Sequence, residues 1–373
     1  MRALIAPGLL HGAVDAPLSK SMSHRLLIAA YLAGVGAPAV AENADVAATV
    51  RCLRALNTGG GRLDCGESAT TLRLLLPLCA LRGEWEIDAS PALRRRPMAP
   101  LLRALARNGA TIEAGWPMRV HGGLRAGVFS LPGDVSSQFF SGLLFALPLL
   151  PSDSALLFTS PLQSRPYVDM TLRVLRACGV CAVETPAGFR VPGGQRYRPC
   201  TLANEGDWSA AAFWLAANAL GSAVAVRGLK EDSAQGDRAV VSMLSAREVD
   251  VSQTPDLAPA LALCAAARHG EFTITGGARL RGKESDRLAT VAAAIRALGG
   301  EAAETPDGLA IRGCALRGGT VDGAGDHRVV MSAAVAATVC AGETVVTGAE
   351  AVEKSYPAFF EDFARLGGRV RVL

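Results

Sequence analysis

Along the chain, the apolar positions fall into two kinds of run that alternate. Long runs of Ala, Leu and Val, such as LLIAAYLAG ending at Gly34, have the length of helices apolar on every side. Each is followed by a glycine and a short stretch with strand character: GEWEID from Gly83, GSAVAVRG from Gly221, GEFTITG from Gly270 and GETVVTG from Gly342. A second helix follows in most cases and stops at a glycine, as in LLRALARNG to Gly109, TLRVLRACG to Gly179, TVAAAIRALGG to Gly300 and FFEDFARLGG to Gly368. Hairpin-like segments come next; ETPAGFRVPGG from Glu184 and ETPDGLAIRG from Glu304 are nearly superimposable.

This plan recurs six times. The six first helices open on polar residues: SKSMSHR from Ser19, GESATTLR from Gly66, DVSSQFF from Asp134, EGDWSAA from Glu205, TPDLAPA from Thr254 and GDHRVVM from Gly325. Lys20 to Ser68 and Trp208 to Asp256 are both 48 residues, and the other intervals are 68, 72 and 70. The short first and fourth units lack the hairpin. The pattern predicts an α/β protein of two similar domains, each of three units with pseudo-threefold symmetry, joined near residues 203–207. The six apolar first helices are expected to be the buried ones. Their starts are expected at one end of each domain, in the cleft between them.

Composition narrows the function classes. Half of the 373 residues are hydrophobic and only 5% aromatic, which favours helices packed closely on sheets. The net charge of +4 comes from scattered basic residues apart from Arg94–Arg96, so a nucleic-acid partner is not expected and a small anionic one is. The longest apolar run, 139–151, is too short to span a bilayer, and no signal pattern precedes MRALIA, so a cytoplasmic protein without membrane attachment is expected. Nine cysteines include one CxxC pair, Cys178 and Cys181, without a second pair to complete a zinc site, so it reads as structural.

The polar starts carry the chemistry. A helix N-terminus presents unpaired N–H groups and about half a positive charge, so it attracts anions. One serine at such a position is an ordinary cap. Ser136, Ser137 and Gln138 together exceed what a cap needs and suit a phosphate. Lys20, Arg25, His327 and Arg328 are cations where the dipole disfavours them, which suggests a bound anion. Ser21 and Arg25, four apart, share a helical face, and so do Lys283 and Arg287, with Glu284 between. A solvated charged turn is the other reading of GKESDR.

These residues resemble a known family. P-x-SKS-x-S-x-R, G-x-x-x-T-x-x-R, RP-[MI], VSSQF, S-[RK]-PY-x-D, EGD-x-S, PD, KE-[ST]-DR, DHR and K-[ST]-[YF]-P occur here in the order found in EPSP synthases, the 3-phosphoshikimate 1-carboxyvinyltransferases, over essentially the whole chain. The resemblance implies two domains, each of three βαβαββ units, the inside-out α/β barrel of the enolpyruvyltransferases, here with units 1 and 4 shortened. It assigns 15–204 to the domain that holds shikimate 3-phosphate. Residues 1–14 with 205–373 form the domain that completes the phosphoenolpyruvate site, the N-terminal strand joining the C-terminal half. The active site lies in the interdomain cleft.

The implied reaction moves the enolpyruvyl group of phosphoenolpyruvate to the 5-hydroxyl of shikimate 3-phosphate and releases phosphate, with no metal or organic cofactor; a monomer is expected. By the same resemblance Ser21 and Arg25 hold the shikimate carboxylate. Ser136, Ser137 and Ser164 hold the 3-phosphate, with Gln138 and Tyr167 beside the ring and Lys283 and Asp256 also on this substrate. Lys20, Ala69, Arg96, Gln138, Arg287, Arg328 and Lys354 surround phosphoenolpyruvate. Lys20, Asp256 and Glu284 are the catalytic set: Glu284 for the proton at carbon 3, Asp256 with Lys20 for the hydroxyl.

Four positions depart from the family pattern: Leu18, Glu67, Arg279, and Ala69, where the common motif has glycine close to phosphoenolpyruvate. Two other readings fit the residues less well. The enolpyruvyltransferase of UDP-N-acetylglucosamine places a reactive cysteine before the RP arginine, and this chain has none between Cys79 and Cys178. An RNA-end-processing protein on similar repeats would show a dense basic stripe or a P-loop, and neither occurs.

Overall fold

The structure, a computed structural model, describes residues 1–36, 43–113 and 115–373. The chain opens with β1 (Arg2–Ala6), β2 (His11–Asp15), α1 (Lys20–Leu32) and α2 (Ala44–Leu56). Then come β3 (Gly61–Asp64), α3 (Ala69–Cys79), β4 (Glu84–Asp88), the single turn α4 (Pro91–Arg94), α5 (Ala99–Arg107) and the hairpin of β5 (Thr111–Glu113) and β6 (Met118–His121). The third copy repeats this with β7 (Val128–Leu131), α6 (Ser137–Ala146), β8 (Ser154–Phe158), α7 (Arg165–Ala177), β9 (Val183–Thr185) and β10 (Gly188–Val191).

The second half begins with α8 (Trp208–Ala219), β11 (Ala223–Arg227) and the short α9 (Val240–Met243). The fifth copy is β12 (Glu248–Asp250), α10 (Ala258–Ala266), β13 (Gly270–Thr275), α11 (Arg287–Ala297), β14 (Glu301–Thr305) and β15 (Gly308–Gly313). The sixth is β16 (Gly319–Asp322), α12 (His327–Ala337), β17 (Thr344–Thr347), α13 (Phe359–Arg365) and β18 (Arg369–Val372).

Four sheets share one plan: β3-β4-β6-β5, β7-β8-β10-β9, β12-β13-β15-β14 and β16-β17-β1-β18. In each the first pair is parallel and the other two pairs are antiparallel. In the sixth copy β1 takes the place of a missing hairpin strand, with Arg2 opposite Thr347 and Ala3 opposite Val372. The fourth copy has no hairpin, and β2 runs parallel to β11 as a two-stranded sheet, His11 opposite Ala223. In the first copy no strand lies between α1 and α2 among the described residues.

One compact unit is Met1–Ser19 with Glu205–Leu373, and the other is Lys20–Asn204. The first crossing falls after Ser19 and not after residue 14, because Ser19 N–H donates to Glu205 O at 2.8 Å and Leu18 bridges Gly206.

Every residue of α10 and α12 is buried, as is all of α3 except Thr70 and all of α6 except Gln138. α1 departs from the expectation that all six first helices are buried. Its Leu26 and Leu27 are half-buried, while its polar Ser23, His24 and Arg25 are buried. In this helix Ser23, His24 and Arg25 of the polar start are taken out of water together with Ile28 and Ala29 of the apolar stretch. In the first unit the core includes Trp214, stacked on Phe359 with ring centroids 5.0 Å apart. In the second, α3 and α6 pack so closely that a side chain at Gly142 would overlap the carbonyl oxygen of Arg73. That close approach sets the starts of α3 and α6 side by side.

Candidate active site

In the second unit the site residues sit at helix starts. Ser68 caps α3 by accepting from Thr71 N, and Ser136 caps α6 by accepting from Gln138 N. Ser136, Ser137 and Ser164 are buried. Ser164, just before α7, has φ 53°, a left-handed conformation that residues with side chains rarely adopt and that clusters at ligand sites. Arg73 is the shared partner of this region. Its Nη1 reaches Gln138 Oε1 at 3.0 Å and Ser136 Oγ at 3.3 Å, and its Nη2 donates to the carbonyl of Pro97, next to Arg96, at 3.1 Å. Gln138 Nε2 in turn donates to Thr70 Oγ1 at 2.8 Å.

Arg25 is 1% exposed. Its Nε donates to Thr171 Oγ1 at 2.8 Å, Nη1 to Ser21 O at 2.5 Å, and Nη2 to Tyr167 O at 2.8 Å. These partners are all neutral, and no carboxylate among the described residues pairs with it. Burial pulls its pKa down to about 10, with Tyr167 opposing. A buried cation held by neutral groups makes this end of the unit favourable to an anion. Lys20 differs: Asp45 on α2 meets it at 2.8 Å. Cations at helix starts, read from sequence as awaiting an anion, are therefore met in part by the protein's own carboxylates.

The first unit holds the acidic half. Asp256 stands in a one-turn 3-10 segment, Pro255–Leu257, ahead of α10. Lys283, Glu284 and Arg287 come from the turn and start of α11, Arg328 from α12 and Lys354 from a 3-10 turn, Ala349–Lys354. Arg287 binds three carboxylates: Nε to Asp326 at 2.7 Å, Nη1 to Asp256 at 2.8 Å and Nη2 to Glu284 at 2.8 Å. Asp256 also meets Arg328 at 3.0 Å and Lys283 at 3.4 Å, and Lys354 lies 3.8 Å from Glu284.

Lys283 and Arg287 do not share a helical face as their spacing predicted. Lys283 precedes the helix, and what joins them is Asp256, to which both donate. Nor is GKESDR a solvated turn throughout: Arg287 is 1% exposed, while Arg281 pairs with Asp286 and Glu304 at the surface.

The electrostatics follow. Burial would raise the Asp256 carboxyl, but Arg328, Lys283 and Arg287 outweigh it and hold the carboxyl well below the usual range. Lys283 is lowered to about 8 by burial, with Asp256 opposing. Burial works against the charge on Arg287, yet Asp326, Glu284 and Asp256 raise its pKa. Asp237, buried in the segment Gly236–Ala239, is raised to about 6 by burial and by Asp256, with Arg328 opposing; Ser209 Oγ donates to it.

Sequence reasoning missed Asp45, Arg73, Asp237 and Asp326 as members of these sets. Arg73 and Asp326 lie inside the quoted motifs G-x-x-x-T-x-x-R and DHR, which was signal enough. Asp45 belongs to a second helix, outside the polar starts of the first helices. Among the described residues no group of three or more His, Cys, Asp or Glu could hold a metal ion. Cys178 is buried and Cys181 exposed.

The family model of EPSP synthase (3-phosphoshikimate 1-carboxyvinyltransferase) matches residues 34–246 and 241–363. The chain belongs to the EPSP synthase family. A relative in Halobacterium salinarum, named 3-phosphoshikimate 1-carboxyvinyltransferase, is 40% identical over 98% of this chain and 99% of its own. One of the same name in Clostridium kluyveri is 38% identical over 98% and 97%. The structure of EPSP synthase from Acinetobacter baumannii superposes on this chain with a TM-score of 0.80 over both full lengths, at 24% identity. That likeness shows the fold: two-domain, mixed α/β, of the EPSP synthase type. No helix among the described residues of this EPSP synthase family member is long and apolar enough to cross a membrane.

Proposed function

We propose that the protein is a 3-phosphoshikimate 1-carboxyvinyltransferase. It moves the enolpyruvyl group of phosphoenolpyruvate to the 5-hydroxyl of shikimate 3-phosphate and releases phosphate by addition and elimination. The observation that carries the reading is Arg287 joining Asp256 and Glu284 through one guanidinium. The reaction needs two proton transfers, one to carbon 3 of phosphoenolpyruvate and one from the attacking hydroxyl, and this arrangement holds two carboxylates in fixed relation.

In this reading Glu284 serves carbon 3 and Asp256 with Lys20 serves the hydroxyl; the roles reverse in elimination. Asp256 is held ionised by three cations, so an anionic substrate that draws Arg328 or Lys283 away strengthens it as a base. Ser21 and Arg25 take the shikimate carboxylate. Ser136, Ser137 and Ser164 take the 3-phosphate, with Gln138, Tyr167 and Lys283 alongside. Lys20, Ala69, Arg96, Arg287, Arg328 and Lys354 take phosphoenolpyruvate, Arg bidentately where its fork allows. The reading requires both residue sets to meet one substrate pair, and it takes the protein as a cytoplasmic monomer. Phosphate release from shikimate 3-phosphate plus phosphoenolpyruvate is the test, with UDP-N-acetylglucosamine as the rival acceptor. No release by folded protein, or release with the rival alone, overturns it.

A further inference from the structure

Beneath the site of the second unit runs a buried chain of side-chain hydrogen bonds that no substrate role explains. His24 Nδ1 lies 2.7 Å from Thr49 Oγ1, which lies 2.6 Å from Thr71 Oγ1, which donates to Ser68 Oγ at 2.8 Å. His24, Thr49 and Thr71 are 0% exposed and Ser68 1%. The links come from α1, α2 and α3 in turn, and the last is the cap of α3. Polar groups kept at the junction of three helices need partners, and this chain supplies them in series.

The chain has a direction. A hydroxyl carries one proton to donate. With Thr71 donating to Ser68, Thr49 donates to Thr71, and His24 donates its Nδ1–H to Thr49. Its Nε2 is buried with no hydrogen-bond partner, where a second ring proton would go unsatisfied, so His24 is held as a neutral imidazole. Burial pushes its pKa down to about 3, Asp45 opposing, so it stays neutral across the working range.

The chain ends where the loop before α3 must be held. On one side that loop is tied by backbone bonds to the end of β4, Cys65 N to Asp88 O at 2.9 Å, and to the cap of α4, Ser90 N to Gly66 O at 2.8 Å. On the side of α1 and α2 the hydroxyl chain does the tying, and Thr71 Oγ1 also approaches the carbonyl of Asp45 at 3.4 Å. Asp45 is the partner of Lys20. The positions of Ala69 and Thr70, in the first turn of α3, are therefore linked to that of Lys20 through one rigid polar seam.

We propose that Thr49 and Thr71, with His24 behind them, are positioning residues for phosphoenolpyruvate, setting the start of α3 and so Ala69 and Thr70 against Lys20. This rests on the function proposed above. A displacement of about an ångström at reacting groups costs up to about a hundredfold.

The test uses the full chain with Thr49→Val and Thr49→Ser. Thr49→Val keeps the shape and removes the hydroxyl. Its KM for phosphoenolpyruvate should rise about tenfold or more, with KM for shikimate 3-phosphate within about twofold, and Thr49→Ser should restore it. Nitrogen-15 spectra of the wild type should show His24 as the Nδ1–H tautomer, unchanged from about pH 5 to 8 given its lowered pKa. An unchanged KM in folded Thr49→Val overturns the proposal, and so does a parallel rise for both substrates with a lower melting temperature, which marks a merely structural role. A wild-type Nε2–H tautomer also overturns it, and that measurement needs no variant. A wild type that releases no phosphate while showing the Nδ1–H tautomer removes the functional reading, and the positioning role with it, but leaves the chain in place.

Discussion

Lys20 Nζ lies 2.8 Å from Asp45 Oδ2, so the first residue of α1 is locked to the first turn of α2. Both side chains are largely buried, at 15% and 6% exposed. A cation at the positive end of a helix is thereby made tolerable before any substrate arrives.

Lys20→Met leaves Asp45 as a buried charge without its ammonium. It should cost about 3 kcal/mol of stability and nearly all turnover. Adding Asp45→Asn should recover most of the stability and none of the turnover. Urea unfolding and phosphate release read the two effects separately; substantial turnover in Lys20→Met would refute the role given to Lys20.

Arg287→Lys keeps the charge and loses the fork that meets Asp326, Asp256 and Glu284 together. A compact ammonium cannot hold three carboxylates in this arrangement. We expect turnover to fall about a hundredfold or more, and stability by about 3 kcal/mol. A variant within about threefold of wild type in kcat would show that the carboxylates need no such clamp.

Acid should destabilise the protein partly through His24. Its pKa is about 3 in the folded state against the 6.5 of a free imidazole, so the unfolded chain binds the extra proton between those values. The stability it contributes is full above about pH 6.5 and falls with pH towards 3, at up to about 1.4 kcal/mol per pH unit. His24→Asn should flatten that part of the urea-derived stability curve. An identical slope in wild type and variant would show that His24 is not neutral and buried.

Asp237 has the opposite sign. Its carboxyl is raised from 3.8 to about 6, so its contribution is full below about pH 4 and is lost as pH rises through 6. Asp237→Asn should gain stability relative to wild type at pH 8 and show little gain at pH 4. The difference in melting temperature between variant and wild type at the two pH values checks it; equal differences count against a raised pKa.

Ala69, at 6% exposed, places a methyl group at the first residue of α3, where the family pattern has glycine. Inhibitors slightly longer than phosphoenolpyruvate, such as glyphosate, should inhibit Ala69→Gly at lower concentration than wild type. Stability should fall by no more than about 1 kcal/mol. Equal inhibition constants end the idea.

Much of this molecule could be read from local pattern. Glycine after each apolar run, hairpins at Glu184 and Glu304, and the absence of hairpins in the first and fourth copies all depend on neighbours in sequence. Caps were legible too: Ser68, Ser136, Asp207 and Asp326, all within the quoted polar starts, accept from their own first turns. Where the reading failed, a distant partner intervened. Lys283 and Arg287 meet through Asp256, some 27 and 31 residues back. α1 buries its polar start because His24 and Arg25 find hydroxyls on α2 and α7.

The sequence by itself therefore determined the six copies, their division into two halves, the polar helix starts and the family they resemble, since each is written in residues close along the chain. The tertiary structure decided which charges neutralise one another: Asp45 on Lys20, three carboxylates on Arg287, and for Arg25 neutral acceptors. Charge pairing in a buried site depends on distance and desolvation between segments far apart in sequence, and no local pattern encodes either.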